Sequence, residues 1–126
     1  MQASLTADNV EASKAFLRVY AILIRAAENE TTVTYPEIAQ VMGLPGQGSN
    51  MGRLVGIMLG AISDRELQSG RPMLSAVAVS STNRKPGPGF AGLAQQHGLL
   101  QADASESDKQ TFWERERNKV YEEWRS

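Results

Sequence analysis

Ser75, His97 and Glu114 or Glu116 are the residue types that a serine hydrolase combines as nucleophile, base and orienting acid. Their local settings do not fit that use. Ser75 lies in Pro72-Met73-Leu74-Ser75 without the flanking glycines of a nucleophile elbow, and His97 follows Gln95-Gln96 at the predicted end of a short helix. The absence of cysteine removes thiolate nucleophiles and cysteine-ligated zinc, and a single histidine removes a histidine-rich metal site. Lys85-Pro86-Gly87-Pro88-Gly89 lacks the Gly-Lys-Ser/Thr order of a phosphate loop, and its prolines remove backbone donors. Glu114, Glu116, Glu122 and Glu123 alternate with Arg115, Arg117 and Lys119, which reads as a salt-bridged helix surface. No catalytic residue, metal or cofactor is assigned, and the chain is expected not to be an enzyme.

What remains is chemistry of binding, and it requires elements to position it. Thr34 and Glu37 form a capping box with Pro36 in the first helical turn, placing Tyr35 at a helix start. Ile38, Ala39, Val41 and Met42 supply that helix's buried side, and Gly43 is its left-handed stop. Beyond Gly46-Gln47-Gly48, Ser49 or Asn50 is expected to cap a second helix. Its apolar face is Met51, Leu54, Val55, Met58, Leu59 and Ile62, which leaves Asn50, Arg53, Ile57 and Gly60 opposite. Gly52, Gly56 and Gly60 recur every fourth residue, each costing about 1 kcal/mol relative to alanine. That cost predicts close approach to another backbone, a packed helix in the structural reading and nucleic acid in the functional one.

Pro72 to Val79 reads as a buried strand whose partner is Val33 or a segment near residue 67. Thr82 to Gly89 is a loop presenting Arg84 and Lys85, and Phe90 to Gln96 a short helix ended by Gly98, with Leu99 and Leu100 pinning it to the core. A first helix is expected from Thr6 or Asp8 to about Ala27, built on Phe16, Val19, Tyr20 and Leu23. After the polar run 101–109, Ser107 with Gln110 is expected to cap a last helix with Trp113, Arg117, Val120, Tyr121 and Trp124 on one face. That face either docks on the domain or forms a partner-binding stripe of Trp113, Tyr121 and Trp124.

A length of 126 residues suits one domain: 1–102 as its body and 103–126 as a terminal helix packed on it. The net charge of -1 argues against a strongly basic nucleic-acid binder, but it hides a gradient. Residues 34–102 hold five basic and three acidic side chains, and residues 103–126 hold five basic and seven acidic. No apolar run reaches the roughly 20 residues of a membrane helix, so no membrane association and a cytoplasmic location are expected.

The order Thr34-Tyr35-x-Glu37-Ile38-Ala39, Gly43, Arg53-x-Val55-Gly56-x-x-Leu59-Gly60, Pro72 and a glycine-containing loop ending in Phe90 resembles the DNA-binding domain of alkylguanine DNA alkyltransferases and alkyltransferase-like proteins. The resemblance covers residues 34–90. It implies a winged-helix, or helix-turn-helix, core in a mostly helical α+β fold with a small β element and a C-terminal amphipathic helix. It also implies minor-groove binding, with Tyr35 rotating a nucleotide, Arg53 filling its space, and Gly52 and Gly56 allowing approach. Arg84 and Lys85 would add phosphate contacts. Where the alkyltransferases carry Pro-Cys-His-Arg this chain has Pro72-Met73-Leu74-Ser75, so alkyl transfer by that mechanism is excluded. Pro72, Met73 and Ser75 would instead line a pocket. The expected function is non-catalytic DNA binding with recognition of an altered or flipped base; the alternative is a protein-interaction or regulatory module using the tryptophan-bearing helix.

Overall fold

The computed structural model describes residues 13–45 and 48–125. Helix α1, Lys14–Glu28, starts where the Ser13 side chain accepts from the Phe16 amide and buries Phe16, Val19, Leu23, Ala26 and Ala27. The expected start at Thr6 or Asp8 lies outside the described residues. Strand β1, Val33–Thr34, runs straight into α2, Tyr35–Val41, so that Thr34 is both the strand's end and the helix cap. The capping box forms as expected. The Thr34 N–H donates to Glu37 Oε1 at 2.9 Å and the Glu37 N–H to Thr34 Oγ1 at 3.4 Å. The Thr34 N–H, and then its hydroxyl, hold the Glu37 carboxyl below its ordinary value.

Helix α3, Ser49–Gln68, buries Leu54, Val55, Met58, Leu59 and Ile62, the apolar face the spacing predicts. Its cap is neither Ser49 nor Asn50. Gly48 occupies the position at φ +101°, a backbone shape that favours glycine, and makes no side-chain cap bond. The predicted strand over 72–79 is largely a 3₁₀ turn, Leu74–Val77, with only Ala78–Val79 as strand β2. An unbroken apolar run cannot distinguish the two, because burial on all sides erases periodicity. Val33 is nevertheless its partner: β1 and β2 pair in parallel, Val33 opposite Ala78 and Thr34 opposite Val79.

Helix α4, Pro88–Gln96, leads to Gly98 at φ +72°, and α5, Glu106–Trp124, returns across α1 and the 3₁₀ turn. Leu99 is 44% exposed and does not pin that end, whereas Leu100 packs partly on the core. The cap of α5 is Ser105 with Asp108, two residues before the expected Ser107 with Gln110. The same hydroxyl-and-carboxylate reciprocity is satisfied one motif earlier. The result is a mostly helical α+β fold with a two-stranded parallel sheet. Among the described residues no helix is long and apolar enough to cross a membrane.

The last helix docks inward. Trp113 is 6% exposed, its indole N–H donates to the Ala76 carbonyl at 2.8 Å, and Arg117 lies over its ring. The Tyr121 hydroxyl donates to the Thr31 carbonyl at 3.1 Å, and Arg71 lies over Trp124. The proposed partner stripe is thus occupied by intramolecular contacts. Glu116 departs from the predicted exposed acidic surface: it is buried and accepts the Met73 N–H at 2.8 Å. On the other side of α1, Glu66 is fully buried between Arg71, at 2.7 Å, and the Tyr20 hydroxyl, which donates to it. Removal from water, and then the bond to Glu66, push the Tyr20 phenol up to about 12.

Two expected outcomes follow from this packing. Trp113→Ala lowers unfolding free energy in urea by about 3–5 kcal/mol, whereas Trp113→Phe, which keeps most of the ring and loses the indole donor, costs about 1–3 kcal/mol. Because the folded protein retains the Tyr20 proton above the usual value of 10.0, stability is full below about pH 10 and falls as pH rises towards about 12. In Tyr20→Phe that alkaline slope is reduced, as read from urea midpoints over this range.

Candidate functional site

The faces of α3 and α4 that look towards each other enclose a cleft of about 420 Å³. Its α3 side is Gly52, Arg53, Val55, Gly56, Leu59 and Gly60, and its α4 side runs from Gly87 through Phe90 to Leu93; Tyr35 and Ser75 complete it. These elements are held by different forces. The apolar stripe of α3 is fixed by the core, the α4 start is fixed by prolines, and Tyr35 is fixed by its own capping box.

Tyr35 ties the cleft's ends together. Its hydroxyl accepts the Gly87 N–H, and a Cβ at residue 87 would lie 3.3 Å from that oxygen, so glycine allows the ring to come this close. Burial pushes the phenol up, against the opposing effect of the Gly87 amide. Tyr35 therefore carries its proton at neutral pH.

Gly52, Gly56 and Gly60 do not serve helix packing, contrary to the structural expectation. A Cβ at any of them would meet nothing within 4 Å. They leave α3's backbone bare along the cleft, and Gly56 and Gly60 border a second hollow with Asp64, Leu93 and His97. Leu93 faces both hollows. His97 Nε2 lies 3.0 Å from Asp64 Oδ1, joining the end of α4 to α3.

Arg53 is exposed and pairs with neither Asp64 nor Glu66; its guanidinium donates to Asn50 Oδ1 at 3.1 Å, on the same exposed face. Arg84 and Lys85 are exposed on a loop closed by Ser80 N–H to Lys85 O at 2.8 Å and Arg84 N–H to Ser80 O at 3.0 Å. This loop is not a β-hairpin. Arg84 also helps lower the Glu37 carboxyl, which places its charge near the start of α2.

The three residues predicted to line a pocket separate. Met73 is fully buried in the core, Pro72 is half-buried and outside the cleft's lining, and Ser75 lines it at 6% exposed. A 3₁₀ turn rotates successive side chains by about a third of a turn, so adjacent residues do not share the face a strand would have given them. Ser75 and His97 face different hollows, and each has another partner, Ser63 and Asp64. They form no nucleophile and base pair. Sequence reasoning missed Ser63 and the α4 residues Phe90 and Leu93. Ser63 was detectable, because it falls four after Leu59 and directly after Ile62 on the buried face of α3.

The arrangement defines a small α+β domain with an apolar cleft bordered by a bare helix backbone and exposed cations. Among the described residues no group of His, Cys, Asp and Glu is arranged to hold a metal ion. Compared with protein-family models, curated proteins and solved structures, this chain has no match.

Since Gly60 is helical and its Cβ direction is open, Gly60→Ala is expected to raise the unfolding free energy by up to about 1 kcal/mol. A thermal melt and a urea titration read this directly. Loss of stability would mean that the backbone there is in contact.

Proposed function

We propose that this protein is a non-catalytic DNA-binding protein of alkyltransferase-like type, with a winged-helix core whose cleft receives an altered or extrahelical base. The observation that carries the reading is the bare backbone of Gly52, Gly56 and Gly60 beside an apolar cleft of about 420 Å³. A flat base or a sugar-phosphate backbone can approach a helix that has no side chains in the way, as minor-groove binders require. Arg53 stands on the exposed face beside it, suited to the space an extruded base leaves, and Tyr35 presents a neutral phenol edge at the cleft. Arg84 and Lys85 supply phosphate contacts from the neighbouring loop. In this reading Met73, standing where the alkyltransferases carry their cysteine, serves packing alone.

Fluorescence titration of labelled duplexes with and without one alkylated guanine, repeated over a salt series, tests this. Binding is expected to weaken as salt rises, to favour the altered duplex, and to fall about tenfold or more in Arg53→Ala. Gly56→Ala is expected to fold at least as well and bind less. Absent or salt-independent binding, or an unchanged affinity in Arg53→Ala, would overturn the proposal.

A further inference from the structure

Ser75 is the polar side chain that the cleft's lining holds almost fully buried, and its hydrogen bonds are directional. Its N–H donates to Ser63 Oγ at 3.0 Å, while the Ser63 hydroxyl donates to Ser75 Oγ at 2.6 Å. A hydroxyl has one proton to give and two acceptor positions. Ser63 spends its proton on Ser75, so Ser75 has one acceptor position filled and its own proton still to place. Around the cleft its neighbours in the lining are Val55, Leu59, Phe90 and Leu93, which offer no side-chain acceptor.

We infer that Ser75 is a specificity-determining hydrogen-bond donor of the cleft, oriented by Ser63, which selects a heterocycle whose inner edge presents an acceptor over one that presents an amino group. The inference rests on the base-binding reading above. An acceptor satisfies the Ser75 proton. An amino group would use the oxygen's second lone pair and leave that proton unpaired in an apolar setting, so the two ligands differ although both fit. The substrate class is therefore a purine or pyrimidine with an oxygen or an unprotonated ring nitrogen at its inner edge.

The experiment uses two duplexes that differ in one base, 6-methoxypurine or 6-(methylamino)purine, each placed opposite an abasic site so that neither has a pairing partner to lose. Wild-type protein is expected to bind the methoxy duplex about tenfold more tightly. In Ser75→Ala, with folding checked by circular dichroism, the ratio is expected to fall to about one. Equal binding of the two by wild-type protein, while duplex binding stays salt-dependent, overturns this inference and leaves the proposed function standing. Retention of the ratio in Ser75→Ala overturns the role of Ser75, and failure to bind any duplex overturns both readings.

Discussion

Met73 to Val77 carries the backbone through the centre of the protein outside any sheet, and a buried backbone polar group without a partner costs about 1–3 kcal/mol. Side chains from two helices supply what a sheet would have supplied. Glu116 of α5 accepts the Met73 N–H, Ser63 of α3 accepts the Ser75 N–H, and Trp113 of α5 donates to the Ala76 carbonyl. The turn closes on itself once, from Ala76 N–H to Met73 O. Three polar groups on two helices are thus committed to a single short turn, and the positions of α3 and α5 follow from that commitment.

The cleft is a consequence of the same arrangement. Once α3 turns Leu54, Val55, Met58, Leu59 and Ile62 towards the core, its glycines have to look outward, and α4 crosses near them without filling the space. The β1 and β2 pair then sets Tyr35, because Val33 and Thr34 are held in register against Ala78 and Val79 and Thr34 begins the next helix. Tyr35 in turn grips Gly87, the residue before α4. A chain of local constraints therefore runs from the buried turn to both walls of the cleft. The Glu66, Arg71 and Tyr20 cluster lies off this path. It joins α1 to the end of α3, with Arg71 also lying over Trp124 of α5.

The legible parts of the fold were those whose signals are local. Thr34 with Glu37, Gly43 at φ +79° and the three-and-four spacing of α3 each carry their own physical reason and correspond to what forms. The errors came where a tertiary partner decides between equal local choices. Ser105 and Ser107 both precede a polar residue three positions on, and the helix takes the earlier one. Pro72 to Val79 is apolar throughout, so nothing local separates a strand from a 3₁₀ turn fed by Ser63, Glu116 and Trp113. Glu116 looked like surface because its neighbours are charged, yet it sits three after Trp113 and four before Val120, on the face that docks. Tyr35, Gly52, Arg53, Gly56 and Ser75 were picked from sequence and do come together, whereas Met73 faces the core.

The glycine series on α3 places a limit on purely structural accounts. Three helical glycines in place of alanine cost about 3 kcal/mol in total, a sizeable part of the 5–15 kcal/mol by which a domain of this size is stable. A helix against helix contact would offset that by close packing, and the open space beyond each glycine shows that no described part of the chain provides it. A tight turn would offset it through positive φ, but these residues lie within the helix and not among the positive-φ glycines, Gly43, Gly48, Gly70 and Gly98. With both internal explanations removed, the offset has to come from something that lies against the bare face of α3 and is not part of this fold. An apolar cleft, an exposed arginine and a buried serine with a proton to place adjoin that face, and they are what such a ligand would meet there.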